Sequence, residues 1–114
     1  MKDEGGKDKR TTVVVLTDVH GREIRLTDER LAHILEHPEM QGQESRMAET
    51  LLTPHSVILS HYDPDIHLYH KLFEQTPVTR KHLVVAVKYS EQDAFVITAF
   101  FTDKEKKGER VWPR

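Results

Sequence analysis

At 114 residues, with 37% hydrophobic and 32% charged side chains, the chain is the size of one domain and can build one core without staples. It has no cysteine, which excludes a disulfide framework and any thiolate metal site. The net charge of −2 implies no strong overall field, no apolar run nears the roughly 20 residues that cross a bilayer, and MKDEGGKDKR lacks a signal-peptide apolar stretch, so a cytoplasmic, membrane-free protein is expected.

In chain order, residues 1–10 are charged and glycine-containing and read as a disordered tail; residues 11–114 read as one α+β domain. The β-branched run Thr12–Thr17 predicts a strand. Asp18-Val19-His20-Gly21 supplies turn chemistry, and Glu23–Leu26 returns as a second strand. Thr27 is a candidate N-cap, with Asp28 and Glu29 suited to the positive end of a helix dipole. Leu31, Ile34 and Leu35 recur at helical spacing, and Pro38 makes His37 the last helical position. A second helix spans about Gln43–Leu52, with Met47, Ala48, Leu51 and Leu52 as its apolar stripe. Beyond Pro54 the period becomes alternating. Val57–Ser60, Ile66–Phe73, Leu83–Tyr89 and Phe95–Phe101 predict an antiparallel sheet of about four strands. The charged tail from Thr102 carries Val111-Trp112 as a docking point. Helices followed by a run of strands imply α+β rather than a parallel α/β sheet.

Charge is unevenly placed. Residues 28–50 contain six acids and two bases, whereas residues 66–88 contain four bases, one acid and three histidines. A basic face attracts phosphate even on a slightly acidic protein, while a charged run is also the ordinary solvated side of a fold.

Three groupings carry possible chemistry. On one helix, Arg30, His33 and His37 would share a ridge flanking the apolar stripe. The histidine pair reads as a solvated flank, as acid–base catalysts, or as a metal site completed by His61, Asp63 or His67. A metalloprotease motif would want Glu directly after the first histidine, where Ile34 stands. On Ile66–Phe73, alternation puts His67, Tyr69 and Lys71 on one face, either a surface for phosphate and stacked bases or plain solvent-facing sheet. In the last strand Thr98 is a lone hydroxyl in an apolar run, with Lys88 and His82 on the neighbouring strand.

The ordered combination of Leu26-Thr27-Asp28-Glu29-Arg30, His33-Ile34-Leu35, His37-Pro38-Glu39, Thr50-Leu51-Leu52-Thr53-Pro54, Leu68-Tyr69-His70-Lys71, Lys81-His82-Leu83-Val84-Val85 and Val96-Ile97-Thr98-Ala99-Phe100 resembles a known family. It is similar to the phage- and toxin-associated ribonuclease-like domains grouped with barnase, EndoU, colicin and RelE-type nucleases, over roughly residues 13–112. The resemblance implies helices packed on an antiparallel sheet and RNA cleavage without a metal or other cofactor. It places catalysis on His33, His37 and Thr98, and substrate binding on Arg30, His67, Tyr69, Lys71, His82 and Lys88. His70 stands where a second aromatic would be expected. The implied partners are RNA, with transfer RNA as one candidate, and a neutralising antitoxin or immunity protein; no DNA or membrane partner is implied. The alternatives are a non-catalytic RNA- or protein-binding module of the same fold and a histidine-liganded metal hydrolase.

Overall fold

The computed structural model describes residues 13–114; the expected tail at 1–10, and Thr12 at the start of the first expected strand, lie outside them. Strands β1 (Val13–Thr17) and β2 (Glu23–Thr27) form a hairpin, followed by α1 (Asp28–Ile34), a 3-10 turn (Pro38–Met40) and α2 (Glu44–Leu52). Then come β3 (Ser56–Leu59), β4 (Ile66–Phe73), β5 (Lys81–Tyr89), β6 (Ala94–Thr102) and β7 (Arg110–Trp112). The α+β order is as expected, but the sheet is larger than the expected four strands. Among the described residues seven strands join one sheet in the order β1-β2-β6-β5-β4-β3-β7. Two long-range pairings make the difference. The hairpin docks through a parallel contact of Arg25 with Phe95, and Trp112 docks opposite Val57. Among the described residues no helix is long and apolar enough to cross a membrane.

The local signals act as physics requires. In the β1–β2 turn, the Asp18 carboxylate accepts from the backbone N–H groups of His20 and Arg22, both at 2.9 Å. Thr27 caps α1, its hydroxyl oxygen accepting from the Arg30 N–H at 3.1 Å. The helix ends earlier than expected. Leu35 still bonds back to Leu31, but Glu36 and His37 reach only three residues back, at 3.2 Å each. Pro38 then holds His37 extended, at φ −85° and ψ 118°. His37 therefore lies outside α1, and the expected ridge of Arg30, His33 and His37 does not form.

Alternation along the strands builds the core. Val57, Tyr69, Leu83, Val85, Val87, Val96 and Ala99 share the face that Ile34, Met40, Met47 and Leu51 cover. Burying side chains of this size contributes roughly 1.5–3 kcal/mol each. Here a second expectation is corrected. The face of β4 carrying His67, Tyr69 and Lys71 is the helix-backed face, not a solvent-facing one: Tyr69 is 1% exposed, opposite Val57 and Val85.

Candidate functional site

The helices pack on one face of the sheet, and among the described residues the segment 103–109 runs over part of the other face as a strap. Pairing registers lay out this open face in rows. Arg25, Phe95, Lys88 and Ile66 form one row across β2, β6, β5 and β4. Thr98, Ala86, Leu68 and Ile58 form the next. Phe100, Val84, His70 and Ser56 form a third, and Thr102, His82 and Leu72 a fourth. The strap crosses the third row. Glu105 accepts from the Ser56 hydroxyl at 3.1 Å, the Lys106 N–H donates to His70 Nε2 at 3.0 Å, and the Lys106 ammonium lies 5.3 Å from the centre of the Phe100 ring.

Where the strap meets the β3–β4 loop it leaves a cleft of about 370 Å³, lined by Ser60, His61, Tyr62, Leu68, Lys106 and Lys107. Tyr62 is 98% exposed at the rim. Leu68, on the cleft floor, lies in the row of Thr98, two strands away, or about 10 Å at ordinary strand spacing. Beside that row, Lys88 is paired with Asp63 of the β3–β4 loop, and Arg25 makes a two-pronged contact with Asp93 at 2.6 and 2.9 Å. The Lys88 ammonium holds the Asp63 carboxyl below the usual carboxylate range, and the Asp93 carboxyl is likewise lowered by Arg25. The cleft thus combines cations, an apolar floor, an exposed aromatic ring and one imidazole. These are the components with which proteins hold a phosphate chain and stack its bases.

A second polar assembly lies on the helix-backed face. Asp18, 2% exposed, accepts from the Tyr89 hydroxyl at 2.8 Å and the Tyr69 hydroxyl at 3.4 Å, and the two phenols are 2.5 Å apart. Burial raises both phenol pKa values. The His67 ring packs 4.5 Å from that of Tyr89, and burial lowers its pKa despite the nearby carboxylates of Asp18 and Asp65. Arg22 lies over the Tyr89 ring and donates to the carbonyls of Ser90 and Asp93. A phosphate chain cannot reach Asp18 or Tyr69 without unpacking the turn. This network instead fastens the β1–β2 hairpin to β4 and β5.

The residues singled out in the sequence are therefore divided by the sheet. Thr98, Lys88 and His82 share the open face; the Nδ1 of His82 is buried with no hydrogen-bond partner among the described residues. His67 and Tyr69 belong to the buried network. Lys71 also faces the helices, its ammonium donating to the Thr53 carbonyl at 2.6 Å and lying 3.6 Å from Glu49, where it caps the negative end of α2. Arg30, His33 and His37 are exposed, and α1 packs on β2 and β6 from the helix side. His33 meets Glu36 at 3.8 Å. A single cleft holding His33, His37, Tyr69, Lys71 and Thr98 is not what the fold makes. Sequence reasoning gave His61 only a metal-ligand role and overlooked Tyr62, Lys106 and Lys107. The one local hint was Tyr62 and His61 beside the Asp63-Pro64 turn; the lysines sit in a charged tail whose course over the sheet has no local signature. Among the described residues no group of three or more His, Asp and Glu side chains is placed to hold a metal ion.

Compared with known protein families, residues 2–112 match one described as phage-Barnase-EndoU-ColicinE5/D-RelE like nuclease2. No match was found among curated proteins or among solved structures.

Proposed function

The chain belongs to the phage-barnase-EndoU-colicin E5/D-RelE-like nuclease family, and from that premise we propose that it is an endonuclease that cleaves RNA on the open face of its sheet. The observation that carries this reading is the cleft itself: Lys106, Lys107 and His61 around a floor of Leu68, with Tyr62 at the rim. In RNA the 2′-hydroxyl is a nucleophile built into the substrate. Cleavage then needs a base to take its proton, an acid to give one to the departing 5′-oxygen, and cations for the crowded phosphate. His61 is the imidazole in the cleft, and an imidazole is the side chain that most often gives or takes a proton in such chemistry. Lys106 and Lys107 supply positive charge; Thr98 offers a hydroxyl to a phosphate oxygen; Tyr62 offers a face to an unpaired base.

One specific observation favours a second reading. Among the described residues lining the cleft His61 is the single imidazole, so an acid–base pair is half complete there, and the same surface suits a module that holds RNA without cutting it.

Purified protein incubated with total RNA and with transfer RNA, with and without chelator, tests this. His61→Ala is compared with His33→Ala and His37→Ala. Cleavage that survives chelation and falls in His61→Ala supports the proposal. RNA that is bound but stays intact supports the binding module. Cleavage lost in the His33 or His37 variants, with His61→Ala unaffected, moves the chemistry to the helix side.

A further inference from the structure

The strap that forms the cationic wall of the cleft is held at three points, and one of them is a histidine ring. At its far end Gly108 takes φ +151°, and a Cβ there would stand 2.4 Å from the Leu59 carbonyl oxygen, so the chain passes this point only as glycine. The Leu59 N–H donates to the Glu109 carbonyl at 2.9 Å next to it. Nearer its start, Glu105 meets Ser56. Between these points, the 0% exposed His70 ring uses both nitrogens: Nδ1 faces the Leu68 carbonyl at 3.0 Å and Nε2 faces the Lys106 N–H at 3.0 Å. A carbonyl only accepts and an N–H only donates. The ring must therefore be neutral, with its proton on Nδ1 and its lone pair on Nε2.

We infer that His70 is the positioning residue for the cationic wall of the cleft, and that its protonation releases the strap carrying Lys106 and Lys107. This inference rests on the reading of the cleft as a nucleic-acid site. A second proton on the ring has one place to go, Nε2, where it meets the Lys106 N–H head on. Two donors then face each other in a buried position, which costs the hydrogen bond and leaves both groups unsatisfied. The groups around the ring do not offset this. Leu68 and the Glu105 carboxylate favour the charged ring, whereas burial, His82 on β5 and Lys106 disfavour it, and the balance lowers the pKa from its ordinary value. Across the row, β3 presents the hydroxyl of Ser56 and β5 the side chain of Val84, so neither brings a charge directly opposite. Acid therefore opens the strap rather than charging the ring in place, and the cleft loses its wall.

The consequence has an unusual sign. Protonating histidines on a surface ordinarily strengthens its hold on a polyanion. Here affinity for RNA falls as the pH drops below the ordinary histidine range, because the two lysines are no longer held over the floor.

Hydrogen exchange on the intact protein, read at the Lys106 amide and corrected for the intrinsic pH dependence, tests the latch without requiring catalysis. Protection at about pH 7.5 should fall by up to about tenfold per pH unit as the solution is taken towards about pH 5. In His70→Gln, whose side-chain carbonyl can accept from Lys106 but does not titrate, protection should not change with pH. Should that variant fail to fold, nitrogen chemical shifts of the wild-type ring serve instead: Nε2 unprotonated at neutral pH, with its titration midpoint coinciding with the loss of Lys106 protection. Protection that is constant across the range, or that is lost equally in His70→Gln, overturns the inference. Binding of a fluorescent single-stranded RNA, measured in the same buffers, separates the two claims. Strap release with unchanged RNA affinity leaves the latch standing and contradicts the cleft reading.

Discussion

The two faces of the sheet have similar polar inventories but use them in opposite ways. On the helix-backed face, Asp18, Tyr69, Tyr89 and Lys71 spend their hydrogen bonds on one another, on turn amides and on the end of α2. On the open face, the side chains of Lys106, Lys107, His61 and Tyr62 border a cavity. Residue type alone therefore says little about role. A tyrosine inside the core must satisfy its hydroxyl, whereas a tyrosine on a loop rim is free to stack.

The largest effect should come from the buried side. Asp18→Ala leaves one phenol of the Tyr69–Tyr89 pair and two turn amides without their acceptor and should cost about 3 kcal/mol in urea unfolding, while single-stranded RNA affinity of the folded fraction stays unchanged. A large affinity loss at full folding would break the distinction between the faces. Next, His61→Ala should lower RNA cleavage about a hundredfold, the usual scale for removing a general acid or base, with binding retained. Unchanged single-turnover rates would remove His61 from the chemistry.

The double variant Lys106→Ala/Lys107→Ala should weaken RNA binding roughly tenfold and flatten the dependence of log K on log salt by about 1.4, the share of two contacts to a single strand. Its unfolding free energy should stay within about 0.5 kcal/mol of wild type. An unaltered salt slope would mean that phosphates lie elsewhere.

The most gradual effect is on global stability against pH. Burial is the leading cause that lowers the pKa of both His67 and His70 below 6.5. In the unfolded chain these rings take up protons near that ordinary value, so the unfolded state binds more protons than the folded one just below it. Stability is therefore full above about pH 6.5 and falls as the pH drops towards the lowered folded values, by at most about 1.4 kcal/mol per unit for each ring. Urea midpoints from pH 7.5 to 5 check this, and a flat profile would deny that either ring is held neutral.

What the sequence revealed follows from the range of the forces involved. The β-branched run before Asp18, the Thr27 cap and the apolar run Leu83–Val87 are local signals, and each appears in the fold. The end of α1 was nearly legible: the restriction that Pro38 puts on its predecessor already argues against a helical His37, but the four-residue spacing of the histidines suggested a ridge. The facing of β4 was not legible. Ile66, Leu68, His70 and Leu72 are more apolar than His67, Tyr69, Lys71 and Phe73, yet they lie on the open face, partly buried there, while the helices cover Tyr69. With both faces partly buried, hydrophobicity cannot say which is which. The strap's path depends on Gly108 and His70, contacts between distant parts of the chain that leave no periodicity behind.

The most direct test is where RNA touches the protein. Isotope-labelled protein titrated with a short single-stranded RNA at about pH 7.5 should show its largest amide and side-chain shifts at His61, Tyr62, Leu68, Thr98, Lys106 and Lys107. His33, His37 and the residues around Asp18 should move little. Shifts concentrated on α1 and the 3-10 turn, with the strap and the β3–β4 loop unmoved, would contradict the assignment of function to the open face.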